Sequence, residues 1–147
     1  MRRLVPDEER LTIFRIFAHS DWLAHIVFAI LLASIVATIV VWAAQGIALA
    51  RRRGAWLASA LAYLSAVVVT APLLAFVRAI YEVAKVCMGL VNVTPAPDLV
   101  MLAPAFAEAA MFLLVGALSA AVASAARGHL LIMSHAPLRA GIGDKLR

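Results

Sequence analysis

Three long runs without charge limit what this chain can fold into. Trp22–Ala50 carries no formal charge over 29 residues, Ala55–Val77 carries none over 23, and Ala109–Ala126 carries none over 18. A helix of about 20 residues crosses the hydrocarbon core of a bilayer. Hydrophobic residues make up 65% of the chain, which is more than one small soluble core can hide from water. The runs therefore predict an integral membrane protein.

The predicted fold is an all-α membrane protein with a single integral membrane domain, residues 1–147. Three transmembrane helices are expected at about 22–50, 55–85 and 99–127, because the length of each apolar segment suits a membrane-spanning helix. The third is expected to end at Arg127 and Gly128, since a basic residue followed by glycine is typical of a helix end. The tail that follows is then irregular.

A short amphipathic helix is predicted ahead of the first span. Leu11, Phe14 and Phe17 alternate with Arg10 and Arg15, a pattern typical of a helix that lies in the membrane interface. A disordered arm is the alternative.

The second helix is expected to continue beyond its apolar run, through Lys85. Arg78 and Glu82 are four residues apart, so their side chains can pair on one face of a helix. Pro95 and Pro97 then mark a loop before the third span.

The basic residues predict the orientation of the chain in the membrane. One side would carry seven basic residues and one acidic residue, whereas the other would carry six of each. Short basic loops stay in the cytoplasm, so we expect the N-terminus outside and the C-terminus inside. The net charge of +5 follows from this topology, and no basic patch interleaved with aromatic residues indicates nucleic-acid binding. The biased side holds Arg51, Arg52, Arg53, Arg127, Arg139, Lys145 and Arg147, with Asp144.

Glu108 is the one carboxylate inside the predicted third span. An ionisable side chain in a membrane helix costs about 2.5–3.5 kcal/mol on insertion scales. We therefore expect Glu108 to face other protein or a wet cavity and to be a functional residue. The alternative is that it sits near the helix end and reaches interfacial water. Gly116, Ala117 and Ala120 follow it, and such small residues allow helices to pack closely.

A sparse polar seam runs along the second span, where Thr70 precedes the helix-kinking Pro72. Hydroxyls on one helix face line a pore, or they make hydrogen bonds between helices worth about 0.6 kcal/mol a pair. Both alternatives fit the spacing. The seam consists of Ser59, Tyr63, Ala66 and Thr70.

The chemistry-bearing residues do not indicate an enzyme. Cys87 is the only cysteine, which excludes an intrachain disulfide and a multi-cysteine metal site. The four histidines fall at opposite ends of the predicted topology, and no nucleophile or acid–base pair stands out. We expect no enzymatic activity, no cofactor and no metal site. The histidines are His19, His25, His129 and His135.

Three segments of the chain resemble one known family. Phe17–Trp22 with Ile30–Ile35 is similar to the first helix of the ExbB/TolQ/MotA proton-channel family, nearest TolQ and ExbB. Val69–Leu74, VTAPLL, resembles the start of that family's second helix. Leu102–Ala109, LAPAFAEA, resembles its A-P-G-I-A-E-A-L motif. The segments occur in the family's order and cover most of the apolar chain.

The resemblance implies a motor stator subunit of the bacterial inner membrane, with a periplasmic N-terminus and a cytoplasmic C-terminus. It implies a homo-oligomer, a pentamer, around a single-span partner of the ExbD/TolR type, with the proton gradient coupled to work across the periplasm. By motif match, Thr70 corresponds to the pore-facing threonine and Glu108 to the family's acidic residue. We expect the lipid bilayer as a partner and no nucleic acid.

The chain departs from that family in three ways. The family's large cytoplasmic domain is reduced to the turn around Arg51–Gly54, and its glycine-rich run after Leu74 is missing. A second pore threonine is replaced by Leu113, which removes a hydrogen-bond partner for pore water. These departures favour the alternative, a non-conducting scaffold or accessory subunit of a larger membrane complex.

The orientation is testable by cysteine labelling in a Cys87→Ser background. A reagent confined to the outside of the membrane should label Val5→Cys and should not label Ala140→Cys, because the basic loops hold the C-terminus inside. Labelling of position 140 alone would reverse the predicted topology.

Overall fold

A computed structural model describes residues 21–51, 56–91 and 102–144 of the chain, with the side chains of the last segment described as far as Ser134. The described residues form three long helices and no strand. The predicted all-α membrane fold is thereby confirmed. The predicted amphipathic helix of the N-terminal arm and the loop before the third span lie outside the described residues.

The three helices are α1, Trp22–Ala50, α2, Leu57–Leu90, and α3, Ala103–Asp144. All three are long and apolar enough to cross a membrane. The expected end of α3 at Gly128 is wrong, because the helix continues for four more turns. A glycine inside a helix costs about 1 kcal/mol relative to alanine, and the fully buried Leu130 continues the packing face beyond it.

The helices run up, down and up. Trp42 of α1 bonds to His129 of α3, so these two helices are parallel and their C-terminal halves meet. Asp21, at the start of α1, contacts Arg78 in the C-terminal half of α2, so α2 is antiparallel to both. The contact between α2 and α3 is the most extensive, and that between α1 and α2 is the smallest.

The buried positions follow a seven-residue repeat. In α1 the residues Ala24, Leu31, Thr38 and Gln45 are buried and lie seven apart. In α3 eight buried positions are spaced alternately by four and three residues, and Glu108 is buried beside them. Such a repeat is typical of helices that wind around one another with a left-handed supercoil. The eight positions are Ala105, Ala109, Phe112, Gly116, Ser119, Ala123, Ala126 and Leu130.

Gly116 lies where α3 packs closely against α2. A Cβ atom at this position would lie 2.4 Å from Ala75 Cβ and 3.2 Å from the carbonyl oxygen of Ala71. The first distance is too short for two carbon atoms and the second is tight, so the helices meet at this separation because Gly116 has no side chain. Of the other two small residues predicted to serve packing, Ala117 is exposed and Ala120 is half-buried within the chain.

Replacement of Gly116 should loosen the contact between α2 and α3. We expect Gly116→Ala to cost about 1–3 kcal/mol of stability, as overpacked cores do, and to lower the midpoint of thermal unfolding in detergent. Gly46→Ala is the matched control, because a Cβ there meets no atom within 4 Å. Adding Ala75→Gly to Gly116→Ala should recover part of the loss. Equal midpoints for the two glycine variants would contradict this account.

Candidate functional site

Arg78 holds three helices together through its guanidinium group. Its Nη2 atom lies 2.7 Å from Asp21 Oδ1 at the start of α1 and 3.5 Å from Glu108 Oε1 on α3. The same atom pairs with Glu82, four residues along α2, as the sequence spacing predicts. Arg78 is only 3% exposed, so one buried cation is surrounded by carboxylates from all three helices.

Asp21 serves this cluster and also caps α1. Its Oδ1 accepts a hydrogen bond from the Ala24 amide at 2.9 Å, which satisfies one of the free amides at the helix start. Lys85 donates a hydrogen bond to Asp21 Oδ2 at 3.2 Å. Burial pushes the pKa of Asp21 upward, but the Ala24 amide and the charges of Lys85 and Arg78 outweigh it and lower that pKa below its usual value.

Two aromatic rings flank the guanidinium group. The Cζ atom of Arg78 lies 5.3 Å from the centre of the Tyr81 ring and 5.4 Å from that of Phe112. A cation over an aromatic face gains about 0.5–2 kcal/mol. The Nε and Nη1 atoms of Arg78 have no hydrogen-bond partner among the described residues. The rings therefore offset part of the cost of burying this side chain. The carboxylates pair with its Nη2 atom.

The charges of this cluster do not balance. Three carboxylates, those of Asp21, Glu82 and Glu108, surround two cations, Arg78 and Lys85. The described part of the cluster thus has one negative charge in excess. Glu108 is 9% exposed, and its Oε1 makes no hydrogen bond to any described residue. One bound proton would neutralise the excess.

The cluster lies at one end of the bundle. Asp21 immediately precedes Trp22, whose side chain is 73% exposed at the start of α1, the position of a membrane-interface tryptophan. Glu108 therefore faces protein, yet it also lies near the end of its span.

Thr70 lies apart from this cluster. It precedes Arg78 by eight residues, about 12 Å along the helix, and its side chain is exposed on the outside of the three-helix unit. Its hydroxyl donates to the Ala66 carbonyl at 2.9 Å. Leu113 is 43% exposed, so the unit does not enclose a passage lined by Thr70 and Leu113.

The sequence indicated only part of this site. Arg78 and Glu82 continue the buried face of Ala71 and Ala75 at intervals of three and four residues. That continuation was the signal that these two charges point into the bundle. Nothing in the sequence showed that Asp21 would meet Arg78, because a contact between helices depends on their register.

Comparison with known proteins leaves the family open. No protein family, curated protein or solved structure matches the chain. Among the residues that the structure describes, no group of three or more His, Cys, Asp or Glu side chains is arranged to hold a metal ion.

Two substitutions of Asp21 should separate its charge from its capping role. Asp21→Asn keeps a good cap and loses the charge, whereas Asp21→Ala loses both and should cost about 1 kcal/mol more. The folded pKa of Asp21 is below its unfolded value, so its charge stabilises the fold above the unfolded pKa. The wild type should therefore be more stable than Asp21→Asn at pH 7, and this difference in stability should shrink as the pH falls below about 4.

Midpoints of unfolding measured for both proteins from pH 7 to pH 3 would show the shrinking difference. An advantage that grows on acidification would contradict the assigned sign.

Proposed function

We propose that this chain is a proton-channel-type stator subunit of a bacterial inner membrane. In this proposal the cluster of Asp21, Glu82 and Glu108 around Arg78 binds a proton, and proton exchange there is coupled to work across the periplasm. The excess carboxylate carries the proposal. An unbalanced negative charge in a poorly hydrated site attracts a proton, because burial of an uncompensated charge is costly.

The pairing around Arg78 allows two arrangements. With three charged carboxylates, Arg78 Nη2 is shared among Asp21, Glu82 and Glu108. Glu108 has the longest of these contacts, 3.5 Å, so it is the carboxylate that Arg78 releases most readily. A proton on Glu108 leaves Arg78 to the other two acids. Helix α3 is then freed from the ion pair that ties it to α1 and α2, which gives proton binding a mechanical consequence.

The position of Thr70 favours an assembly over a single unit. A pathway that includes this exposed hydroxyl forms only where another helix covers the outer face of α2. The proposal therefore includes a homo-oligomer, a pentamer by the family resemblance, around a single-span partner. It also places the N-terminus in the periplasm and the C-terminus in the cytoplasm.

A second candidate function is a non-conducting scaffold within a larger membrane complex. The contact between Arg78 and Glu108 favours it, because a permanent ion pair would hold the helices together without exchanging protons. Leu113, exposed where the family resemblance expects a hydroxyl, favours it as well. In this function Glu108 serves assembly.

Glu108→Gln distinguishes the two functions. In vesicles that contain this chain and a co-purified single-span partner, the substitution should abolish proton flux, since glutamine keeps the shape of the side chain and cannot titrate. The oligomer, followed by native mass spectrometry, should remain assembled. Thr70→Val should reduce flux less completely, because water partly replaces one hydroxyl.

Ser65→Ala is the matched control for Thr70→Val. Its hydroxyl also donates to the carbonyl one turn earlier, that of Leu61 at 2.7 Å, so the loss of such a bond alone should leave flux unchanged. Wild-type flux in Glu108→Gln would exclude the proton-binding role. Loss of the oligomer in that variant, with no flux in the energised wild type, would establish the scaffold instead.

A further inference from the structure

A groove separates α1 and α3 at the end of the bundle opposite the charged cluster. It has a volume of about 450 Å³, within the range of about 300–1,000 Å³ found for ligand sites. Its apolar walls come from Ile39, Val122 and Ala125. It opens sideways, toward the hydrocarbon of the membrane that α1 and α3 cross.

The outer end of the groove is polar. Trp42 Nε1 donates a hydrogen bond to His129 Nδ1 at 3.1 Å, and the two rings meet edge to face with centroids 5.7 Å apart. Because Nδ1 accepts this bond, the neutral imidazole carries its proton on Nε2. The Nε2–H group is then a donor at the mouth of the groove. Trp42 fixes both the ring and its tautomer.

Thr38 supplies a second donor, one turn deeper than Trp42. Its side chain lines the groove, is 0% exposed, and its hydroxyl has no hydrogen-bond partner among the described residues. Most buried hydroxyls in proteins are satisfied. Because no part of this side chain is exposed, an acceptor oxygen in the groove would satisfy the hydroxyl of Thr38 only after the side chain turns toward it.

Positive charge lies toward the same end. Arg51 caps α1 nine residues beyond Trp42, and Arg127 lies on α3 two residues before His129; both are exposed. Basic residues at the end of a membrane helix attract anionic headgroups, by about fivefold in affinity for each residue close to the surface. From the membrane centre outward, the groove therefore presents an apolar wall, a buried hydroxyl and an imidazole donor, and Arg51 lies beyond it at the end of α1.

We propose that this groove binds one anionic phospholipid. That order of chemistry is the order of a phospholipid molecule: acyl chain, ester carbonyl and phosphate. One acyl chain lies against Val122 and Ala125, an ester carbonyl accepts from Thr38 once that side chain turns toward the groove, and the phosphate accepts from His129. A methylene group is close in size to a water molecule, which takes about 30 Å³ in the liquid, so the groove holds roughly fifteen of them. This site is independent of the proposed proton-binding function.

Lipid retention by the purified protein tests the proposal. Native mass spectrometry with added phosphatidylglycerol or phosphatidylcholine should show one tightly bound lipid, with phosphatidylglycerol preferred by at least about fivefold. Ala125→Leu fills the groove and should weaken both lipids about tenfold or more. Ala121→Leu, the same change one turn earlier at an exposed position outside the groove, should leave both unchanged.

His129→Phe keeps a ring of similar size and removes both ring nitrogens. It should weaken both lipids to a similar extent, because both carry the phosphate that accepts from His129, and it should leave the preference for phosphatidylglycerol nearly unchanged. Val122→Phe fills the groove from another position. It serves as the groove-filling variant if circular dichroism shows that Ala125→Leu has lost helicity. Equal retention in wild type and a folded groove-filling variant would overturn the proposal. So would a change in oligomeric state with no change in lipid retention, because the groove would then hold a helix of a second copy.

Discussion

The structure depends on the burial of one guanidinium group among three carboxylates. In a bilayer, helices gain little from the hydrophobic effect when they associate, so packing and polar contacts between them carry more of the specificity. Arg78 of α2 contacts α1 through Asp21 and α3 through Glu108, so this one side chain joins all three helices. Removal of one partner from a buried ion pair costs about 3–5 kcal/mol. The cluster therefore fixes which helix faces meet.

The close contact at Gly116 sets the register that this cluster requires. Because α2 and α3 are antiparallel, the approach of Gly116 to Ala75 brings Phe112, one turn along α3, to Arg78. A further turn brings Glu108 to the same guanidinium group. A side chain at Gly116 would push the helices apart at Ala75, which lies three residues before Arg78. Packing and electrostatics are thus coupled in this part of the bundle.

The sequence predicted the helices well and the site in part. Uncharged runs about as long as the hydrocarbon core is thick, or longer, allow few structures other than membrane helices, so α1, α2 and α3 followed from length and charge alone. The pair of Arg78 and Glu82 followed from their spacing in one helix. The contacts of Arg78 with Asp21 and Glu108 did not, because they depend on the rotation and register of separate helices. The predicted helix end at Gly128 was wrong for a related reason, because packing around Leu130 overrides a local helix-ending signal.

The outward position of Thr70 and the inward position of Glu108 constrain any proton path through this protein. Within one three-helix unit, the hydroxyl faces the surroundings while the carboxylate is enclosed by Arg78 and Phe112. A proton that passes both residues must cross from the outside of α2 to the inside of the α2–α3 contact. Thr70 lines a groove between α1 and α2, whereas Leu113 lines a separate groove between α2 and α3. Water in either groove would need a second helix to shield it from lipid, so under the proposed function conduction belongs to the assembly, and the single chain supplies only the protonatable cluster.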